Sequence, residues 1–145
     1  MSGRVSSLLG MAVDASLAGR TFPPTPPYTV SEERVAEFAR ATGSTYDGHA
    51  APATFPIVVA FAAMTALMED PSVGIALHRV VHGDQRFTYT RPVVVGDVLT
   101  ATLTVDSLRQ IGGADIIGTR SEITDAEGLP VCTAFATLVH RGEDA

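Results

Sequence analysis

The segment Ser44-Thr-Tyr-Asp47-Gly-His49-Ala-Ala-Pro-Ala-Thr54 places a carboxylate and an imidazole two residues apart, just before the most apolar stretch of the chain. Such a pair on a loop can converge on one carbon–oxygen system, one group removing a proton while the other delivers it to a departing hydroxyl. The helix expected to follow adds backbone N–H groups near Thr54 and Phe55 and the positive end of its dipole. These suit a thioester oxygen that gains negative charge as a proton leaves the neighbouring carbon. The chemistry is elimination of water. The same residues also read as a plain Asp47-Gly48 turn with His49 exposed beside it, because Asp-Gly is a common turn dipeptide.

Other constellations are weaker. His78 and His82 lie four apart but in strand-like sequence, and no zincin or paired-cysteine spacing occurs, so no metal is expected. Cys132 sits among apolar strand residues and reads as an inert core thiol. Gly96 and Gly112-Gly113 fall in strand connections and open no helix, so no phosphate cradle and no cofactor is expected. Hydrolysis of an acyl thioester is a competing chemistry, in which Asp47 or Asp84 activates water. Free thiol among the products separates it from dehydration.

The supporting scaffold is bounded by size and charge. A chain of 145 residues suits one domain, and its 10 Lys+Arg, scattered from Arg4 to Arg141 against 16 Asp+Glu, give no basic patch for nucleic acid. One cysteine cannot form an internal disulfide, which makes the cytoplasm the default compartment. The longest apolar run, Ile57 to Met68, would span about 18 Å as a helix, too short for a bilayer, so no membrane association is expected. Residues 1–20 read as an N-terminal extension that frays or docks, and 21–145 as the domain. Arg4 to Asp14 only faintly resembles a secretory signal, its apolar stretch diluted by Ser6, Ser7 and Gly10.

Four prolines between Thr21 and Tyr28 forbid helix and favour an arm along a sheet edge. A short helix follows, capped by Ser31 and closed by Gly43, with Val35, Phe38 and Ala39 on its apolar stripe. The next helix, about Pro56 to Met68, is apolar nearly all round and must be surrounded. Beyond residue 76 the period becomes two-fold. His78 to Arg91 reads as a strand bulged at Gly83-Asp84 with Val81, Phe87 and Tyr89 on one face. From Val98, Leu99, Ala101, Leu103 and Val105 alternate with threonines, then Ala114 to Thr124 and Val131 to His140 complete a meander, the last strand central because both its faces are apolar. The expected class is α+β, a hotdog fold: a long antiparallel sheet wrapped around one buried apolar helix. The long sheet edge such a fold leaves is commonly covered by pairing with a second subunit.

The segments Tyr28 to Gly43, Ala51-Pro-Ala-Thr-Phe55, Arg79-Val-Val-His-Gly-Asp-Gln-Arg-Phe-Thr-Tyr-Thr-Arg-Pro92 and Gly96-Asp-Val-Leu99 together resemble the MaoC-like N-terminal dehydratase family over residues 20–142. The resemblance implies a (3R)-hydroxyacyl-thioester dehydratase, reversible as an enoyl hydratase, acting on acyl-ACP or acyl-CoA in fatty-acid or polyketide metabolism. It also implies a double hotdog, either a homodimer or a heterodimer with a second dehydratase subunit. Active hydratases of the wider superfamily carry Asp-x-Asn-Pro-x-His before the buried helix and His-Gly at its start; here Asp47 and His49 have a different offset and Ala51-Pro52-Ala53-Thr54 stands in place of His-Gly. Two versions follow. Either Asp47 and His49 are the acid/base pair, or the chain lacks one and forms the acyl tunnel for a catalytic partner. A pure binding or assembly module is the third possibility. Substrate contacts are expected from Thr54, Phe55, Phe61 and Met64, with Met68 also affecting tunnel width, while His82, Asp84 and Gln85 are polar positions characteristic of the family.

Overall fold

The computed structural model describes residue 13 and residues 15–141; the signal-like stretch lies outside them except for Val13. Helix α1 spans Glu32–Thr42. The Ser31 hydroxyl accepts the Arg34 N–H at 3.1 Å, and Gly43 ends the helix at φ 70°, a conformation glycine adopts without a side-chain clash. Helix α2 spans Ile57–Glu69. Five strands follow the expected alternation: β1 (Tyr28–Thr29), β2 (Val80–Tyr89), β3 (Val98–Ile111), β4 (Ala114–Thr124) and β5 (Pro130–Arg141), in the antiparallel order β1-β3-β4-β5-β2.

Consecutive hairpins join β3, β4 and β5, and β5 is flanked on both sides, as its two apolar faces require. The proline-rich arm covers the far edge of β3: Phe22 and Thr25 donate their N–H groups to Leu103 and Ala101 at 2.9 and 3.0 Å. The end of the N-terminal extension docks as well, for Gly19 donates to the Val105 carbonyl at 2.8 Å and Leu17 is buried.

The core lies between the concave sheet face and α2. Leu99, Ala101, Leu103 and Val105 of β3 meet Val59, Ala63, Met64 and Leu67 of the helix, all buried. The helix is not enclosed on every side within one chain. Phe61 is 53% exposed and Ala62 and Ala66 are also exposed, because the sheet covers only one side of α2.

A second difference lies in β2. The register shifts between His82 and Asp84, so one extra residue of β2, Gly83, stands without a partner on β5. Val81 pairs with Val139 on the outer face, whereas Phe87 and Tyr89 pair with Ala134 and Cys132 on the inner face. The three do not share a face, because the expected bulge reverses the alternation.

Candidate active site

The loop before α2 is built from a turn. The Asp47 carboxylate accepts the N–H of His49 at 3.0 Å, both residues are exposed, and the imidazole makes no hydrogen bond among the described residues. This is the local ring that makes aspartate favourable in turns. Beside it Tyr46 turns inward, its hydroxyl sealed from solvent, and the Glu32 carboxylate, with burial, pushes the phenol up to about 12.

Thr54 is exposed and Phe55 is fully buried, packed edge-on against Phe38. The backbone here winds into α2 through a preliminary turn. Phe55 N–H donates to the Pro52 carbonyl at 2.9 Å and Ile57 N–H to that of Thr54 at 3.1 Å. The Phe55 N–H expected to hold a thioester oxygen is thus already bonded, and its ring is core. The physical reason is Pro56, which stands at the helix N-cap in αR conformation and lets the turn continue directly into the helix.

Two concavities flank this region. The first, about 440 Å³, is lined by Ala50, Ala51, Ala53, Tyr89, Thr90, Arg91, Pro92 and Val93. Its tyrosine and arginine are committed. The Tyr89 hydroxyl donates to the Ala53 carbonyl, and burial, with a smaller contribution from Cys132, pushes that phenol up to about 12. Arg91 binds Asp97 through both terminal nitrogens, at 2.9 and 3.1 Å, and reaches Asp125 at 3.3 Å. Its hydrogen bond to Asp97 holds the guanidinium firmly charged. Neither Asp47 nor His49 lines this cleft, and no carboxylate or imidazole does.

The second is an apolar groove of about 200 Å³ between α2 and the open edge, lined by Phe61, Met64, Met68, Leu77, Val80, His82 and Leu138. Sequence reasoning placed Phe61, Met64 and Met68 in a tunnel wall, and all three line the groove. It gave no role to Leu77 or Leu138. The family-characteristic trio divides: His82 and Gln85 pair with Leu138 and Ala136 of β5 and are joined to each other at 3.0 Å, while Asp84 pairs with Thr137 on the outer face. The bulge brings residues of opposite parity to one face.

Burial pushes the Cys132 thiol up to about 11, which keeps it protonated and unreactive near neutrality. Among the described residues no three His, Cys, Asp or Glu side chains stand together to hold a metal ion, and no helix is long and apolar enough to cross a membrane.

A sheet curled around one apolar helix defines a hotdog protein. The chain belongs to the FAS1-like, dehydratase domain region family, whose model matches residues 16–134. It is similar to the UPF0336 protein of Leifsonia xyli subsp. xyli, with 49% identity over 91% of this chain and 98% of the relative. Among solved structures it is similar to the C-terminally truncated HadBC (3R-hydroxyacyl-ACP dehydratase) complex of Mycobacterium tuberculosis. That match has 31% identity, a TM-score of 0.73, and covers 85% of this chain and 96% of the other. A MaoC-like dehydratase matches at 29% identity and TM-score 0.74 over 89% of this chain and 43% of its own.

Proposed function

We propose that the chain is the acyl-tunnel-forming subunit of a (3R)-hydroxyacyl-thioester dehydratase, reversible as an enoyl hydratase, and that a second hotdog subunit supplies the acid/base pair. The observation that carries this reading is the cleft beside the start of α2, whose lining offers no carboxylate and no imidazole. Asp47 meanwhile closes its own turn. The two sites differ in what they can do: the cleft has no free proton carrier, whereas the groove of Phe61, Met64, Met68 and Leu77 is suited to an acyl chain.

The open side of the molecule supports a partner. β2 ends the sheet order, and Val81 on it is 62% exposed, as is the α2 face around Phe61 at 53%. A free strand edge beside an exposed apolar face is stabilised by pairing with another subunit. The relation to HadBC, itself a dehydratase complex, favours an unlike partner over a like one.

The test is hydration of a short trans-2-enoyl-CoA, followed by loss of enoyl absorbance, with the purified chain alone and in its native assembly. Activity confined to the assembly is the expected result. Hydration by the chain alone, abolished in Asp47→Asn and His49→Ala, would instead make this loop a self-sufficient catalytic site. Release of free thiol would point to a hydrolase.

A further inference from the structure

A buried pair remote in sequence contacts the segment that leads into one wall of the groove. Asp115 and His140 close the inner faces of β4 and β5, with side chains 3% and 4% exposed and His140 Nδ1 2.9 Å from Asp115 Oδ2. The other ring nitrogen, Nε2, lies 3.0 Å from the backbone nitrogen of Ala76. A backbone N–H can only donate, so Nε2 is the acceptor and Nδ1 carries the proton that is donated to Asp115. The tautomer is thereby fixed. The carboxylate is satisfied further by the Val13 N–H at 3.3 Å and by Gln110 Nε2 at 2.8 Å.

Ala76 immediately precedes Leu77, and Leu77 and Val80 line the groove together with Phe61, Met64 and Met68. The Leu77 side chain is itself 51% exposed, so packing alone holds it weakly. The Ala76 N–H to His140 bond ties this connecting segment to the end of the sheet one turn ahead of the Val80–His140 strand pairing. We propose that His140 is a positioning residue that fixes the Ala76–Leu77 wall and so sets the length of acyl chain the groove accepts. The chain-length role rests on the function proposed above; the positioning of Ala76 does not.

Two substitutions separate the two bonds of the ring. His140→Asn keeps a donor toward Asp115 and removes the acceptor for Ala76. His140→Gln places a carbonyl oxygen near the Nε2 position and keeps that acceptor. Each is studied in the native assembly by hydrogen exchange of the peptide containing Ala76 and by binding of octanoyl-CoA and palmitoyl-CoA. We expect His140→Asn to speed exchange at Ala76 about tenfold and to move the palmitoyl-to-octanoyl affinity ratio severalfold toward the longer chain. His140→Gln should stay near wild type in both readouts, even where both variants lose stability. Should His140→Asn fail to fold, Leu77→Ala, which removes the wall without touching the buried pair, is expected to move the ratio in the same direction.

Equal behaviour of the two histidine variants, or an unchanged ratio in both His140→Asn and Leu77→Ala, would overturn the proposal. A wild-type assembly that binds neither thioester would overturn the function itself and chain selection with it. That failure is recognisable before any variant is made, while the exchange comparison still decides whether His140 holds Ala76.

Discussion

Phe55 and Phe38 meet edge to face, with ring centroids 5.3 Å apart and planes at 78°. Tyr28 adds a tilted ring at 6.3 Å. The last residue of the polar loop is thereby locked to α1 and to the strand that borders it, and through Phe55 the start of α2 acquires a fixed place. Aromatic pairs of this geometry add to ordinary burial.

Phe55→Ala is therefore expected to lower stability by about 3–5 kcal/mol, the range for a fully buried phenylalanine. Phe55→Leu, which retains most of the volume, should lose under about 2 kcal/mol. Urea unfolding at neutral pH measures both. A loss below about 1 kcal/mol for the alanine variant would show that the ring is not part of the core.

The phenols give a stability signature in alkali. Tyr46 and Tyr89 are both raised from 10.0 to about 12, the first chiefly by the Glu32 carboxylate and the second chiefly by burial. The folded chain thus holds these protons more tightly than the unfolded chain. Their contribution is complete below about pH 10 and is lost as pH rises through about 12. Absorbance of tyrosinate and far-ultraviolet circular dichroism are expected to change together over that window for these two residues. Full tyrosinate signal near pH 10.5 with the fold intact would contradict it.

What the sequence disclosed and what it hid follow from range. Alternation in Leu99 to Val105 and the capping by Ser31 and Gly43 are local signals, and the strands and α1 stand where those signals put them. The bulge near Gly83 was also legible. Its consequence, that His82 and Gln85 share a face while Val81 leaves that of Phe87 and Tyr89, requires knowing the register with β5. The all-apolar character of α2 correctly signalled burial, but it could not say that Phe61 would remain open in one chain. Asp115 and His140 are 25 residues apart, and only strand pairing joins them. One trace existed: His140 continues the parity of Ala134, Ala136 and Leu138, so a polar residue was due on an inner face. The turn that Asp47 closes onto the His49 N–H was legible from the Asp-Gly dipeptide, again a local signal.

Arg91 ties two connections together, the turn at Asp97 and the hairpin at Asp125, with the guanidinium about one-third exposed and the carboxylates 11% and 12% exposed. Replacing it with methionine leaves two largely buried acids without their cation. Discounted for the partial exposure of the arginine, the loss is expected to be about 1–3 kcal/mol at neutral pH. Asp125 is also held below the usual carboxylate range, first by the Leu129 N–H and then by Arg91. Its contribution is present above about pH 4 and disappears as pH falls further. In Arg91→Met the acid unfolding midpoint should therefore move upward. A variant matching wild type in both urea and acid would make the cluster a screened surface feature.

The last expectation concerns the loop itself. Asp47 Oδ1 accepts the His49 N–H at 3.0 Å, and an asparagine offers the same acceptor, whereas alanine does not. If the loop only supports the tunnel, Asp47→Asn and His49→Ala should each keep the hydratase activity of the native assembly within about twofold, because neither removes a reacting group. Asp47→Ala should then lose about 1 kcal/mol of stability through the missing turn acceptor, again with activity retained. If the two side chains exchange protons with substrate, Asp47→Asn and His49→Ala should instead cost on the order of 10²- to 10⁴-fold in kcat. The asparagine variant decides most cleanly, since it preserves the turn and removes only the ionisable group. A large loss of kcat in that variant, with unfolding midpoints unchanged, would overturn the tunnel-forming role and assign the acid/base pair to this chain.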